Sequence, residues 1–172
     1  EKGNTILGYD ASENKSVKIL VKKGVEVINK LSLERIPDYM KEEDVIVVYT
    51  PAIPDDNIFL KYFRSNGNNP IFKRSEILGE ISKQSKCIAV AGTHGKTTTT
   101  AIISHLFHSS GIHFKAFIGG IMKCFDSNYI NTGNDYIIVE ADEYDRSFLN
   151  LNANYAVITS IENDHLDIYG DF

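Results

Sequence analysis

The residues from 92 to 98 have the types and the order of a phosphate-binding loop, Gly-Thr-His-Gly-Lys-Thr-Thr. The glycines allow the backbone to turn so that consecutive N–H groups can face phosphate oxygens. A lysine followed by a threonine supplies an ammonium for the β- and γ-phosphates of ATP and a hydroxyl ligand for Mg²⁺. We therefore predict a nucleotide-binding loop made of Gly92, Thr93, His94, Gly95, Lys96, Thr97 and Thr98.

The Gly-Lys-Thr triplet alone is a weak signal, because roughly one chain in ten of this length would contain it by chance. Its surroundings make it stronger. The apolar run 87–91 precedes the loop and a helical pattern follows it, which is the strand–loop–helix order that such a loop requires. The helix start adds its partial positive charge. Val90 stands where the general pattern has glycine, so the loop is a variant form.

Acidic residues follow the next strong apolar run, 136–139. Glu140 comes directly after it and is the best placed to hold the second side of the Mg²⁺ ion, since nucleotide-binding enzymes of this type place a carboxylate at the end of a neighbouring strand. A solvated acidic turn is the alternative interpretation.

His165 lies in a third polar segment, past the apolar residues 155–161 and between Asp164 and Asp167. Ligands of α/β sheets gather at the carboxyl ends of strands. The residues alone leave two interpretations open: a metal ligand oriented by a carboxylate, or a polar loop residue.

The elements that position these residues follow an alternating pattern. The apolar runs 45–49, 87–91, 136–139 and 155–158 are typical of strands buried on both faces in a parallel sheet, and 5–7, 25–28 and 114–118 are weaker strand candidates. Helices are predicted at 15–23, 57–65, 75–82 and 97–109, the last with Ile102, Ile103, Leu106 and Phe107 on one face. This alternation predicts an α/β fold, with a boundary near residues 82–86.

Composition limits the partners. The 172 residues carry a formal charge of −5, which disfavours nucleic-acid and membrane-surface binding. Neither a run long enough to span a bilayer nor a signal peptide is visible, and the two cysteines are expected to be ordinary thiols, so a cytoplasmic protein is predicted. The chain begins with glutamate and not methionine, and we expect it to be part of something longer.

Three motifs, at 91–100, 140–145 and 164–170, occur in the order and at the distances that the Mur ligases of peptidoglycan synthesis show, and the chain resembles that family throughout. The segments 47–53 and 73–78 resemble further parts of it. The resemblance implies a partial Rossmann-like UDP-sugar-binding domain at 1–83 and a partial central P-loop ATP-binding domain at 84–172. It also implies that the initial glycine-rich turn and the C-terminal amino-acid-binding domain lie outside this sequence.

The same resemblance implies a reaction. ATP would phosphorylate the lactyl carboxylate of UDP-N-acetylmuramate, and the amine of L-alanine would attack the acyl phosphate. Lys96, Glu140 and His165 would be catalytic, and Thr97, Glu140 and His165 would bind Mg²⁺.

Two alternatives accompany that expectation. Tyr144 departs from the alanine-adding branch of the family, and a tyrosine at this place also occurs in the branch that attaches a tripeptide. Residues 146–151 and 164–170 favour the alanine-adding branch.

Alternatively, the chain is a nucleotide-binding module that is inactive on its own, and we expect these 172 residues alone not to ligate L-alanine. A P-loop kinase or GTPase is disfavoured because a base-reading Asn-Lys-x-Asp motif is missing. The oligomeric state is left open.

Overall fold

The computed structural model describes residues 3–41, 45–66 and 69–162, and the chain divides into two compact units, Glu1–Phe72 and Lys73–Phe172. None of the helices in these described ranges has the length and the apolar character that a bilayer crossing would need. The assignment of 1–83 and 84–172 to two functional domains stays a prediction.

The first unit contains two small sheets. Strand β1 (Leu7–Tyr9) pairs in parallel with β2 (Glu26–Ile28), and helix α1 (Lys15–Lys22) connects them. Asn14 caps α1 because its side-chain oxygen accepts the Val17 N–H at 2.9 Å. The second sheet pairs β3 (Val47–Tyr49) with β4 (Ile71–Lys73), and helix α2 (Ile58–Ser65) lies between them in the chain.

The second unit is built on a five-stranded sheet. Its elements in chain order are α3 (Arg74–Ser82), β5 (Lys86–Ala91), α4 (Lys96–Ser109), β6 (Phe114–Met122), β7 (Ser127–Asn131), β8 (Tyr136–Glu140), a 3-10 turn (Tyr144–Asn150) and β9 (Tyr155–Ile158). The sheet order is β7-β6-β8-β5-β9. All neighbours are parallel except β7, which runs antiparallel to β6.

Both faces of this sheet are packed. On one face, α4 covers a cluster that includes Phe114, Ala116 and Ile138. On the other face, α3 contributes Leu78 and Ile81 to a cluster around Cys87, Ile137 and Val139. Because both faces of the sheet are covered, the central strands are continuous apolar runs. The predicted α/β fold is confirmed.

The structure corrects two expectations about burial. Ile102 and Leu106 of α4 are 54% and 57% exposed, whereas the helix buries Thr100 and Ser104 completely. Ile103 and Phe107 do pack against the core, as predicted, whereas Ile102 and Leu106 turn outward. In β9, Tyr155 and Ile158 are more than half exposed, because β9 is the last strand of this sheet in the described part of the second unit.

Candidate functional site

The predicted phosphate loop lies at the carboxyl end of β5, between the ends of its two neighbours. β8 flanks β5 on one side and β9 on the other. The loop changes direction at two glycines in the left-handed region, Gly92 with φ 126° and Gly95 with φ 83°. Gly95 is also the N-cap of α4, so the loop leads directly into the helix. The strand–loop–helix order predicted from the sequence is confirmed.

The first half of the loop is fastened to the segment that follows β9. The Thr93 N–H donates to the Ser160 carbonyl and the His94 N–H to the Ser160 hydroxyl, both at 3.0 Å. In return, the Thr159 hydroxyl donates to the carbonyls of His94 and of Ala91, the latter at 3.1 Å. A side chain at position 92 would meet Thr159 and Ser160, which explains why glycine is required there.

These contacts distinguish two groups of backbone N–H donors in the loop. The N–H groups of Thr93 and His94 already have protein acceptors, whereas those of Lys96, Thr97 and Thr98 are the first three of α4 and have no acceptor within the helix. The helix start also carries the partial positive charge of the helix dipole. Anion binding is thus best supported at the second half of the loop.

The Lys96 side chain is held inside the site and is only 15% exposed. Its Nζ donates to the carbonyls of Gly92 at 2.7 Å and Thr93 at 3.3 Å. It also forms an ion pair with Glu143 Oε1 at 2.7 Å, and the Glu143 side chain is 23% exposed. A half-buried ammonium needs such acceptors and a countercharge, and the turn after β8 supplies the countercharge.

Thr97 and Glu140 meet across the gap between α4 and β8. The Thr97 hydroxyl donates to Glu140 Oε1 at 2.7 Å, and the Gly119 N–H donates to Oε2 at 2.7 Å. Both carboxylate oxygens are therefore oriented. Gly119 lies within β6, two residues past Phe117, where the printed pairing with β8 ends, and a Cβ there would lie 2.7 Å from Oε2.

The pairing of Thr97 with Glu140 fits a Mg²⁺ site. A hydroxyl and a carboxylate provide the oxygen ligands that Mg²⁺ prefers, and this ion commonly binds through one or two protein groups together with phosphate oxygens and water. In the described part of the chain, no cluster of three or more histidine, cysteine, aspartate or glutamate side chains is placed to bind a metal. His165, the third predicted ligand, lies outside the described residues.

Sequence reasoning missed three residues that the geometry adds, namely Gly119, Glu143 and Ser160. Glu143 lies within the acidic motif 140–145, but no spacing rule shows which of its carboxylates faces the lysine. The contacts of Gly119 and Ser160 depend on the order of strands in the sheet. The predicted roles of the loop residues in binding nucleotide stay predictions.

Two family descriptions match nearly the whole chain. Residues 1–86 match the Mur ligase family catalytic domain, and residues 90–172 match the Mur ligase middle domain. Among curated relatives, the UDP-N-acetylmuramate–L-alanine ligase of Christiangramia forsetii is 45% identical over 99% of this chain and 38% of its own length. The enzyme of the same name from Porphyromonas gingivalis is 44% identical over 98% of this chain and 37% of its own. The chain thus spans less than two fifths of these relatives.

Solved structures agree with this similarity. The UDP-N-acetylmuramate-alanine ligase MurC of Thermotoga maritima superposes with a TM-score of 0.87 at 31% identity, over 99% of this chain and 39% of that protein. The UDP-N-acetylmuramate:L-alanyl-gamma-D-glutamyl-meso-diaminopimelate ligase of Neisseria meningitides gives a TM-score of 0.80 at 24% identity, over 96% and 55%, and this likeness shows the fold alone.

Proposed function

The chain belongs to the Mur ligase family, and from this premise we propose that it carries the ATP·Mg²⁺ site of a ligase that joins L-alanine to UDP-N-acetylmuramate. The observation that carries the proposal is the arrangement at the carboxyl end of β5. Lys96 is held inside the loop, and the Thr97 hydroxyl meets Glu140 at 2.7 Å beside it. An ammonium, a hydroxyl and a carboxylate in this order are the groups that a magnesium–polyphosphate ligand requires.

In this proposal the protein's own groups act by position and charge. The N–H groups of Lys96, Thr97 and Thr98 and the Lys96 ammonium bind phosphate oxygens, while Thr97 and Glu140 hold Mg²⁺. Bound ATP·Mg²⁺ supplies the phosphoryl group that converts the lactyl carboxylate into an acyl phosphate, and ADP is the leaving group. The amine of L-alanine then attacks the acyl carbon, and inorganic phosphate and a proton are released. Because such donors are already in place before the transfer, they stabilise the developing charge without reorganising. His165, as a third ligand, is part of the proposal.

L-Alanine is favoured over a tripeptide as the amino substrate for one reason. Two curated relatives named as L-alanine ligases are 45% and 44% identical to this chain, and the solved alanine ligase of Thermotoga maritima is 31% identical. Peptidoglycan synthesis is the corresponding process, and the cytoplasm stays the predicted compartment.

Replacing the loop lysine tests the nucleotide site. We expect Lys96→Ala to weaken binding of ATP·Mg²⁺ by roughly 100-fold or more, because a half-buried charge-assisted contact to phosphate is worth about 3 kcal/mol. Isothermal titration calorimetry measures the affinity, and Lys83→Ala, which removes an exposed lysine, is the matched control. An unchanged affinity in Lys96→Ala would contradict the proposal.

The amino substrate is tested in a chimera, since this chain covers 38% of the Christiangramia forsetii enzyme. The matching region of that enzyme is replaced by residues 1–172, and the chimera is offered L-alanine and the tripeptide together. Mass spectrometry of the UDP-linked product is expected to show the alanine adduct, and its loss in Lys96→Ala. A predominant tripeptide adduct would favour the alternative branch.

A further inference from the structure

The Lys96 ammonium has three hydrogens, and the structure provides three acceptors for them. Two are the carbonyls of Gly92 and Thr93, at 2.7 and 3.3 Å, and the third is Glu143 Oε1 at 2.7 Å. A lysine ammonium has no fourth donor. Any further acceptor must therefore share or take one of these three positions.

We propose that Glu143 is a further residue of the nucleotide site, and that its carboxylate holds the position on Lys96 that a phosphate oxygen of the nucleotide takes. The inference rests on the proposed function, in which Lys96 binds phosphate. Glu143 then competes with the nucleotide for one side chain, and its carboxylate must move from Lys96 when phosphate binds.

The three acceptors differ in how easily they can leave. The Gly92 and Thr93 carbonyls belong to the loop backbone, whose course is fixed by the left-handed Gly92 and by the hydrogen bond from the Thr93 N–H to Ser160. The Glu143 carboxylate is at the end of a side chain with three rotatable bonds. It is therefore the acceptor that exchanges.

Charge leads to the same conclusion. The Lys96 and Glu143 side chains are 15% and 23% exposed, so water screens their neighbourhood only in part. A carboxylate and a phosphate oxygen that both contacted one ammonium would repel each other at close range. Exchange avoids this repulsion, whereas simultaneous binding does not.

The fold places Glu143 at the loop. The Ala141 N–H donates to the Val90 carbonyl at 2.8 Å, which fixes the turn after β8 against β5 immediately before the loop. The Arg146 N–H donates to the Glu143 carbonyl at 3.1 Å and begins the next turn. One short segment thus supplies Glu140 to Thr97 and Glu143 to Lys96.

The test compares two Lys–Glu pairs of nearly equal length. Glu143→Gln removes the charge of the half-buried pair, and Glu80→Gln does so for the exposed pair in which Lys83 Nζ lies 2.6 Å from Glu80 Oε1. Calorimetry is carried out with ATP·Mg²⁺ and with inorganic tripolyphosphate, which lacks the base and the sugar. We expect Glu143→Gln to bind both probes roughly tenfold more tightly than the unmodified protein, since the competing ion pair is lost. Glu80→Gln is expected to bind both as the unmodified protein does.

Unchanged or weaker binding in Glu143→Gln, with a melting temperature like that of Glu80→Gln, would overturn the inference. If Glu143→Gln does not fold, Glu143→Asp replaces it, because a side chain shorter by one methylene draws the carboxylate away from Nζ and is also expected to tighten binding. Lys96→Ala distinguishes a failure of the proposed function from a failure of the competition by Glu143. If that variant binds ATP·Mg²⁺ normally, the proposed function fails. If it binds weakly while Glu143→Gln is not tighter, the competition alone fails.

A second measurement follows the ammonium directly. Nitrogen–proton NMR detects lysine ammonium groups whose protons exchange slowly with water, and the signal absent from Lys96→Ala identifies Lys96. We expect this signal in the unmodified protein, a shift when tripolyphosphate is added, and a loss of protection in Glu143→Gln before any ligand is added. A Lys96 signal in Glu143→Gln identical to that of the unmodified protein would contradict a role of Glu143 at Lys96.

Discussion

Gly119 offers a test of how the Glu140 carboxylate is held. Its N–H donates to Glu140 Oε2 at 2.7 Å, and a Cβ built on it would lie 2.7 Å from Oε2 and 2.9 Å from Oε1. The backbone of Gly119 is not in the left-handed region, so alanine can adopt its conformation without strain. The effect of Gly119→Ala is therefore steric and falls on the carboxylate, which must rotate away.

The magnitude differs between folding and binding. The atoms displaced are the end of a flexible side chain at a partly exposed site, and water can solvate the carboxylate after it moves. We expect the free energy of unfolding to fall by less than about 1 kcal/mol. Magnesium-dependent binding, in contrast, requires the hydrogen bond from the Gly119 N–H that the substitution disrupts. It also requires the original orientation of the Glu140 carboxylate beside Thr97. A charge-assisted hydrogen bond is worth about 1.5–3 kcal/mol, which corresponds to roughly a 10- to 100-fold weaker affinity for ATP·Mg²⁺.

Calorimetric titration with ATP, in excess Mg²⁺ and in EDTA, separates the magnesium-dependent part of the affinity from the magnesium-independent part. We expect Gly119→Ala to weaken binding in Mg²⁺ strongly and binding in EDTA little, with the urea midpoint nearly unchanged. Gly8→Ala is the control, because its Cβ would meet Val27 at an ordinary 3.5 Å. Equal affinity of Gly119→Ala and the unmodified protein in Mg²⁺ would refute the reasoning that Gly119 orients a magnesium ligand.

Three further predictions concern stability and reactivity. Gly92→Ala is expected to lower the free energy of unfolding by about 2 kcal/mol or more, because φ 126° and the contact with Thr159 both exclude a Cβ. Urea titration measures this change, and an unchanged midpoint would contradict the prediction. Iodoacetamide is expected to modify exposed Cys124 and spare buried Cys87 in the native protein, as peptide mass mapping would show. Burial raises the pKa of Cys87 from 9.0 to about 11, so the unfolded thiol ionises first and stability falls between pH 9 and 11. This fall should be smaller in Cys87→Ala, and an equal pH dependence would contradict it.

Local patterns predicted the parts of the site that neighbouring residues build. The apolar run at 87–91, the two glycines and the helical pattern after Lys96 lie within one short stretch, and the structure places β5 at Lys86–Ala91 and α4 at Lys96–Ser109. The antiparallel β7 was missed because its residues Ser-Asn-Tyr-Ile-Asn lack a strong apolar pattern. The outward position of Ile102 was also missed, since periodicity describes an apolar stripe but not which part of it meets the sheet.

The order of strands in the sheet decides the rest of the site. Because of this order, the two halves of the loop form hydrogen bonds with different neighbouring strands or the segments that follow them. Because β5 lies between β8 and β9, the first half bonds to Ser160 after β9. Lys96 bonds to Glu143 after β8, and Thr97 bonds to Glu140, the last residue of β8. In the first half, the Thr93 and His94 N–H groups are bonded to Ser160, which holds the loop backbone in place. The second half meets carboxylates on side chains that can rotate. In the proposed function, the phosphate contacts therefore lie between α4 and β8, where the Thr97 hydroxyl, Glu140 and the Lys96–Glu143 pair occur together.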